Sequence, residues 1–409
     1  MGTVFVSKSG NDSNSGTDSG SPKLTIQSAV DAVDGTSAPR IVTILDSGTY
    51  NELVYINAGG GFGVDITIQG DTGQLPILDG NGLADNGGIS NGPTSVGPTV
   101  PSVTTLKNMK FIRFSTNNGA LRGDRSLSNG GAFQVSDCEF DNNDKVAQDL
   151  GSTSTKINTF NRCKFTRNDI FIGNSNDVYA EITNSVFGGV EDESCIDFGS
   201  SRSNSKVQNC SVVVNMDDNS IAIRAGVIEN CAVQNLTATS TGGGNSTKGI
   251  SAGDSRSNNL TFGNFNTQQE GGTDGGNNLT GQDPLFTDTT ITAPDLSVPS
   301  GSPLIGAGKT IAAITTDFLG ISRSAPYDIG AFHFVPTFTS TDGSEPFSRT
   351  IASDFTIRRM ANKLSTRRFA ESTDNRQAPY SVTVSGPANI RGRTTAYKVE
   401  KGHEGNGGK

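Results

Sequence analysis

A phrase of six residues recurs along the middle of the chain, and this repetition limits the possible folds more than any other feature. In each copy, positions one, four and six are apolar or small, and position three is polar and usually asparagine. Six clear copies occupy residues 106–111, 135–140, 160–165, 182–187, 207–212 and 228–233. Self-similarity with a period of about 20–50 residues is typical of a solenoid, because a single unit cannot bury its apolar side alone. We therefore expect an array of stacked coils.

The content of the phrase predicts two short strands that meet at a corner. A helical stripe would not keep so short a period, and asparagine suits a corner because it tolerates left-handed backbone angles. Stacked coils would bring the position-four residues into one inward-facing column, about 4.8 Å apart. With two weaker copies included, this column consists of Met109, Cys138, Cys163, Ser185, Cys210, Cys231, Leu260 and Leu279. These features predict an all-β chain that folds as a parallel β-helix.

A second strand follows the column at a constant distance. Residues 192–198 and 217–223 both begin seven positions after their column residue, which predicts that they lie in register in adjacent coils. The four carboxylates that this register would bring to one edge are Asp192, Glu193, Asp217 and Asp218. Paired carboxylates can cleave a glycosidic bond, one as the acid and the other as base or nucleophile. Hydrated loop residues or a weak cation site are the alternatives, so these four are candidates and no catalytic residue is assigned.

The composition agrees with a thin stacked core and argues against several kinds of site. Only 33% of the residues are hydrophobic, 51 are glycine and none is tryptophan, which suits coils with many exposed turns. Four of the five cysteines lie in the predicted column, which indicates buried fillers and a reducing compartment of synthesis. With two histidines and no Cys-x-x-Cys pair, we expect no metal site of the zinc type. No apolar run approaches the roughly 18 residues of a membrane span.

The N-terminal residues predict a covered first coil. Residues 3–7 have a strand pattern, and residues 24–33 have apolar residues at helical spacing, so we expect a capping helix over the first coil. The loop at residues 9–16 is rich in Gly, Asn and Asp; calcium is the one cofactor left open there, although a solvated turn is preferred. The strand pattern begins without a signal-peptide pattern, so we expect synthesis in the cytosol unless a signal has been removed.

Two groups of short motifs lie at the ends of the repeat region. The first group comprises residues 4–12 (VFVSKSGND), 25–29 (TIQSA) and 48–52 (GTYNE). The second comprises residues 283–286 (DPLF), 301–305 (GSPLI), 317–320 (DFLG), Arg323 and residues 328–332 (DIGAF). Together they resemble the opening and closing segments of pectate-lyase-like right-handed parallel β-helix proteins. The resemblance covers residues 1–335 and implies a right-handed solenoid, the usual chirality of parallel connections. It is specific for architecture and says little about activity.

One further motif resembles that of an enzyme family. Residues 216–223 (MDDNSIAI) are similar to the paired-aspartate motif of polygalacturonases, with Asp217 and Asp218 on the matching positions. The sequence then departs from that family, because residues 248–252 read KGISA where Gly-His-Gly would fall and no Arg-Ile-Lys follows. Pectate lyases would need calcium-binding aspartates beside a basic arginine, and Arg224 alone does not supply that arrangement. These departures weigh against catalysis.

The chain changes character after residue 335, so we predict a β-helix over residues 1–335 and a small C-terminal α+β domain over 336–409. Residues 337–409 contain 12 Lys and Arg against 7 Asp and Glu, a net charge of +5, whereas the rest of the chain carries −14. Residues 353–364 have a helical pattern, and residues 380–384 and 395–399 have strand patterns. The candidate docking residues are Arg358, Arg359, Arg367 and Arg368. Because few aromatic residues lie among them, an acidic protein is a better partner than nucleic acid.

Two functions of different class follow. In the first, the chain is a bacteriophage virion structural protein, a capsid decoration protein, spike or fibre, made in the host cytosol and anchored to other virion proteins by its basic domain. Such a protein can also bind host surface polysaccharide or form a homotrimer. In the second, it is a secreted or surface polysaccharide hydrolase or lyase, extracellular, with the four candidate carboxylates at its cleft. Neither function involves a membrane.

Overall fold

The chain winds through stacked coils of parallel strands. The structure, a computed structural model, describes residues 2–33, 36–56, 65–83, 87–91, 103–114, 119–123, 132–148, 157–168, 170–173, 180–191, 194–199, 203–216, 220–237, 247–341, 346–350 and 381–384. Within these residues, three parallel sheets of 13, 10 and 5 strands surround one core, and a single α-helix is present. The predicted parallel β-helix is confirmed, and its right-handed sense stays a prediction.

Sheets B and C each collect one strand position from successive coils, and sheet A also includes strands from a second position. Sheet A contains β1 (Gly2–Val6), β2 (Arg40–Ile44), β5 (Ile66–Gly70), β8 (Val103–Lys107), β11 (Ala132–Ser136), β14 (Asn158–Asn161), β17 (Ala180–Thr183), β19 (Ile196–Asp197), β20 (Ser205–Gln208), β22 (Ile221–Glu229), β24 (Lys248–Ser257), β26 (Thr267–Glu270) and β27 (Thr273–Asp274). Sheet B contains β3 (Thr49–Tyr50), β6 (Ile77–Asp79), β9 (Lys110–Ile112), β12 (Glu139–Asp141), β15 (Lys164–Thr166), β18 (Val186–Glu191), β21 (Ser211–Asn215), β23 (Ala232–Asn235), β25 (Leu260–Gly263) and β28 (Leu279–Thr280). Sheet C contains β4 (Val54–Tyr55), β7 (Ile89–Asn91), β10 (Leu121–Gly123), β13 (Lys145–Gln148) and β16 (Ile170–Gly173).

A two-residue corner joins sheet A to sheet B in the repeat region. The first corner residue has a left-handed backbone in every copy, with φ between 49° and 55°, at Asn108, Asp137, Arg162, Asn184, Asn209, Asn230, Asn258 and Asn277. The second corner residue faces inward, and its carbonyl accepts a hydrogen bond from the next coil. For example, the Cys138 carbonyl accepts from Lys164 N at 2.9 Å. The predicted column is therefore confirmed from Met109 to Cys231, all buried.

The last two predicted members of the column are wrong by one residue. Leu260 and Leu279 lie one position beyond it, in β25 and β28, and Asn259 and Asn278 occupy the column instead. Two adjacent asparagines caused the error, because Asn258 takes the left-handed corner angle (φ 53°) that the alignment had given to its neighbour.

Phenylalanines at position six form an aromatic ladder inside sheet B. Phe111, Phe140, Phe165 and Phe187 pair in register in four successive coils. Their ring centroids lie 4.9, 5.1 and 4.5 Å apart, and the planes differ by 12° or less. Stacked rings that are removed from water contribute both apolar burial and a favourable ring contact.

The predicted capping helix is confirmed as α1 (Ile26–Val33). Its four apolar residues at helical spacing are all buried against the first coil. The backbone N–H groups of Ile26 and Gln27 would lack a partner at the helix N-terminus, and Glu52 accepts a hydrogen bond from each at 3.0 Å. Glu52 belongs to the GTYNE motif, so that motif serves the cap. No helix of the described residues is both long and apolar enough to cross a membrane.

The outer face of sheet B changes character along the stack. In the N-terminal coils it carries ion pairs between neighbours, such as Lys110 with Glu139 at 3.3 Å. In the C-terminal coils Val186 and Val213 take their place and are buried by residues 282–335, which we call the closing segment. The closing segment packs onto this face through Leu296, Leu304, Ile329 and Ala331.

The C-terminal residues that the structure describes form a separate three-stranded antiparallel sheet. It consists of β29 (Thr337–Thr341), β30 (Pro346–Thr350) and β31 (Ser381–Val384), and β31 confirms the strand expected at residues 380–384. The helix expected at 353–364 and the strand at 395–399 lie outside the described residues. The domain boundary at residue 335 stays a prediction.

Replacing Phe140 by alanine is expected to destabilise the coils by about 3–5 kcal/mol, because the change removes a buried ring and leaves a cavity between Phe111 and Phe165. Thermal unfolding followed by circular dichroism measures the loss. Phe140→Leu is the control and should lose less, since it keeps most of the side-chain volume. Equal melting temperatures for Phe140→Ala and the unchanged chain would show that the ladder does not stabilise the stack.

Candidate functional site

The four candidate carboxylates, Asp192, Glu193, Asp217 and Asp218, lie outside the described residues. The strands that flank them do not have the predicted register. Ile196 of β19 pairs with Ile223 of β22, whereas the seven-residue spacing had placed it opposite Ile221. The in-phase alignment is thus wrong by two residues. Glu191 pairs with Asn215, so five residues lead from Glu191 to Ile196 whereas eight lead from Asn215 to Ile223. The offset therefore arises in these connections, on the side of the coil where no fixed corner sets the spacing. The four residues stay candidates, without the register that had stacked them.

The lengths of the connections point to one side of the coil as the functional face. From β8 to β25, every passage from sheet A to sheet B takes two residues. The passages from sheet C or β19 to the next sheet A strand take between six and eleven residues, and twelve residues separate β23 from β24. Long connections on a rigid scaffold are where binding and catalytic residues concentrate. The strip formed by sheet C and its continuation through β19, β22, β24 and β26 is therefore the candidate functional face.

A polar row crosses the continuation of this strip. Asp197, Arg224, Ser251 and Glu270 are register partners in four successive coils. Asp197 forms an ion pair with Arg224 at 3.1 Å. Glu270 accepts from Lys248 Nζ at 2.6 Å and from Ser251 Oγ at 3.3 Å. The sequence analysis missed this row because its members are far apart in the chain and match no motif, and only the pairing register brings them together.

The geometry of the row suits recognition better than glycosidic cleavage by its own two carboxylates. Asp197 and Glu270 are three strand spacings apart, about 14 Å. Two carboxyl groups that act together on a glycosidic bond lie about 5–10 Å apart. Each carboxylate is also engaged with a neighbouring cation. The row presents charges of both signs and a hydroxyl group in a line, an arrangement that can hydrogen-bond an extended polar ligand.

The loop considered for calcium already contains a cation of the chain itself. Lys23 is buried, and its Nζ donates to the carbonyls of Asp12 and Asn14 at 3.0 and 2.9 Å. The Asp12 carboxylate accepts from the backbone N–H groups of Leu24 and Thr25, both at 2.9 Å. Burial alone would raise the pKa of Asp12, but these hydrogen bonds hold it below its ordinary value. Across the described part of the chain, no group of three or more His, Cys, Asp or Glu residues could hold a metal ion.

The polar residues of the closing motifs are structural. Asp317, Arg323 and Asp328 are all buried. Arg323 Nη2 donates to Asn184 Oδ1 at 3.2 Å and to two backbone carbonyls at 2.9 Å, which ties the closing segment to a corner of the coils. Asp317 accepts from three backbone N–H groups, and Asp328 accepts from two and contacts His333 Nδ1 at 2.8 Å. Burial lowers the pKa of Arg323, against the attraction of the two aspartates.

The predicted docking residues Arg358, Arg359, Arg367 and Arg368 lie outside the described residues. Their role therefore stays a prediction.

No model of a known protein family matches this chain, and no curated protein matches it. The resemblance to pectate-lyase-like proteins stays an expectation from short motifs, and function has to be argued from the faces of the molecule.

The five cysteines are free and buried; four of them lie in the column as predicted, and Cys195 is a buried filler outside it. Burial raises the pKa of the Cys163 thiol to about 12 and also raises the pKa values of Cys138, Cys195 and Cys231. The thiolate is the reactive form of cysteine, so these thiols are inert in the folded chain.

Titration with a chromogenic disulfide reagent at pH 8 is expected to detect none of the five thiols in the folded chain and all five in guanidinium chloride. Incomplete reaction after unfolding would indicate a disulfide, and the denatured sample is therefore the control. A thiol that reacts at once in the folded chain would contradict the inward-facing column.

Proposed function

We propose that this chain is a structural component of a bacteriophage particle, a decoration protein, spike or fibre, which presents its β-helix at the particle surface. The observation that carries the proposal is the division of charge. Residues 337–409 have a net charge of +5, and the coils and closing segment have −14. A basic segment joined to an acidic body can bind an acidic protein surface while the body is repelled from it, which favours one mode of attachment.

The architecture supports a presenting role. Eleven strands follow one another along the main path of sheet A, so the stack is about 50 Å long. Coils bonded along their whole length form a stiff rod, and ion pairs between neighbouring coils, such as Arg162 with Asp137 at 2.7 Å, add to the stacking. A rod of this kind holds a surface at a fixed distance from its point of attachment.

We propose that the rod presents the strip with the polar row to a ligand. Its long connections and its line of Asp197, Arg224, Ser251 and Glu270 offer donors and acceptors to an extended polar ligand, and host surface polysaccharide is a ligand of that chemistry. Other virion proteins are the proposed partners of the basic segment, and a homotrimer is the oligomer proposed for a spike.

Particles purified on a density gradient from a culture that carries the gene should contain this chain. Reversing two charges in the basic segment, Arg358→Glu with Arg359→Glu, is expected to reduce its incorporation at least about tenfold, since two close charge contacts are worth roughly 1–2 kcal/mol each when desolvated. The control Lys107→Glu reverses an exposed charge on the coils and should leave incorporation unchanged. A chain that never sediments with particles would refute the proposal.

The alternative function, a secreted polysaccharide hydrolase or lyase, is favoured by one observation. Asp192 and Glu193 fall between β18 and β19, and Asp217 and Asp218 fall between β21 and β22, so both pairs border the candidate strip along the chain. Turnover of acidic or neutral polysaccharides, measured by reducing ends and by absorbance of unsaturated products, would reveal the activity. Under this alternative, Asp217→Asn with Asp218→Asn should lower the rate by about 100-fold or more, as loss of an acid and a base does. Thr290→Asn is the control, and a chain without turnover on any substrate would leave no support for an enzyme.

A further inference from the structure

The closing segment exposes a patch that combines leucines and carboxylates. Leu285 and Leu319 expose 42% and 64% of their surface, and Leu24 is the one other large hydrophobic residue of the described chain that is exposed. Each of the two leucines is adjacent to a phenylalanine, Phe286 or Phe318, that packs on the same apolar cluster. Three exposed carboxylates belong to the same part of the molecule. We define the flank patch as Asp283, Leu285, Asp288, Asp295 and Leu319.

Leu285 is held in an unfavourable conformation. Its φ of 57° lies in the left-handed region, which is rarely adopted by a leucine because Cβ approaches the carbonyl oxygen. The backbone is fixed there by a hydrogen bond from its N–H to Asp283 Oδ1 at 2.8 Å. A strained backbone that keeps an apolar side chain in water is the kind of outlier that indicates an interaction.

The C-terminal segment leaves the β-helix next to this patch. The Asp317 carboxylate accepts from Leu319 N at 2.9 Å and from His333 N at 3.0 Å, so one side chain joins the patch to the end of the closing segment. After Phe334, whose N–H donates to Asp328, two residues precede β29. Two residues span at most about 7 Å. The basic segment therefore begins beside the flank of sheet B, rather than beyond the last coil.

We propose that the flank patch is the docking face for the chain's own residues 337–409. Three features select this occupant. The segment carries +5 and the patch exposes three carboxylates, so their charges are complementary. The two-residue connection gives the segment a high effective concentration at the patch. The exposed leucines supply apolar surface, and interfaces usually combine apolar area with charged contacts.

The consequence for attachment rests on the proposed function. If the basic segment binds a particle while it is docked on the flank, the rod is held by its side. Sheet C and the polar row, whose strands belong to sheet A, lie on a different face of the coils from sheet B, so they stay accessible in that orientation.

Limited proteolysis of the purified full-length chain tests the docking without any particle. Trypsin cleaves after Lys and Arg, of which residues 337–409 contain 12, and mass spectrometry locates each cut. Leu319→Asp and Leu319→Ser are expected to speed cleavage within 337–409 by about tenfold or more, since an apolar side chain of this size gains that much from burial. Leu24→Asp, at the other end of the stack, is the matched control and should cleave at the original rate.

A second set of variants isolates the charges. The triple variant replaces Asp283, Asp288 and Asp295 by asparagine. Each asparagine keeps an Oδ1 that can accept the backbone N–H of its turn, at Leu285, Thr290 and Ser297, so the turns are preserved while three charges are lost. This variant should cleave faster than the unchanged chain at low salt and lose the acceleration that sodium chloride causes in the unchanged chain.

Three outcomes would overturn the proposal. Cleavage of both Leu319 variants at the rate of the Leu24 control would show that the segment does not dock there. A change from dimer to monomer in sedimentation of Leu319→Asp would identify a second copy as the occupant. Unchanged cleavage of the free chain together with lost incorporation into particles would assign the patch to a particle protein. Because the proteolysis uses the free chain, failure of the docking is distinguishable from failure of the virion assignment.

Discussion

The left-handed residue between sheets A and B is the constraint on which the rest of the stack depends. It turns the chain in two residues, so the next residue returns to the same inward line in each coil and its carbonyl meets the N–H of the coil below. Asparagine adopts this conformation most readily among residues with a side chain. Two successive corners lack it, at Asp137 and Arg162, and there the two side chains form a bidentate ion pair that stabilises the stack.

The same constraint explains which parts of the fold could be predicted from sequence. The column from Met109 to Cys231 was predictable because the corner keeps a fixed length, so a residue type recurs at a fixed place. The pairing of Ile196 with Ile223 was not, because the other connections of the coil vary in length and nothing local sets their register. Where two asparagines stand together, at Asn258 and Asn259, the pattern alone could not choose the corner residue, and the backbone conformation decides it.

The candidate functional face was less predictable than the fold for a related reason. The polar row from Asp197 to Glu270 forms only because strands of successive coils pair in register. Its members recur at unequal intervals in the sequence, so a search for a periodic pattern cannot find them. The recognisable motifs, by contrast, contain residues whose role is structural. Asp317, Arg323 and Asp328 belong to recognisable motifs, yet they are buried and satisfy the backbone of the closing segment. A recurrent motif can record a requirement of folding, so resemblance through such motifs carries architecture and leaves activity open.

The three faces of the coil therefore have different roles, and each role follows from how its connections are made. Sheet A joins sheet B through two-residue corners that leave no room for an insertion. This side of the coil therefore holds successive coils in register. The outer face of sheet B becomes apolar where Val186 and Val213 lie under the closing segment, and that segment ends beside exposed leucines and carboxylates. Sheet C is bordered by the long connections, the one place where chain can be added without disturbing the column. Under the proposed function, attachment and recognition use different sides of one rod, because the long connections border one side of the coils and the closing segment covers another.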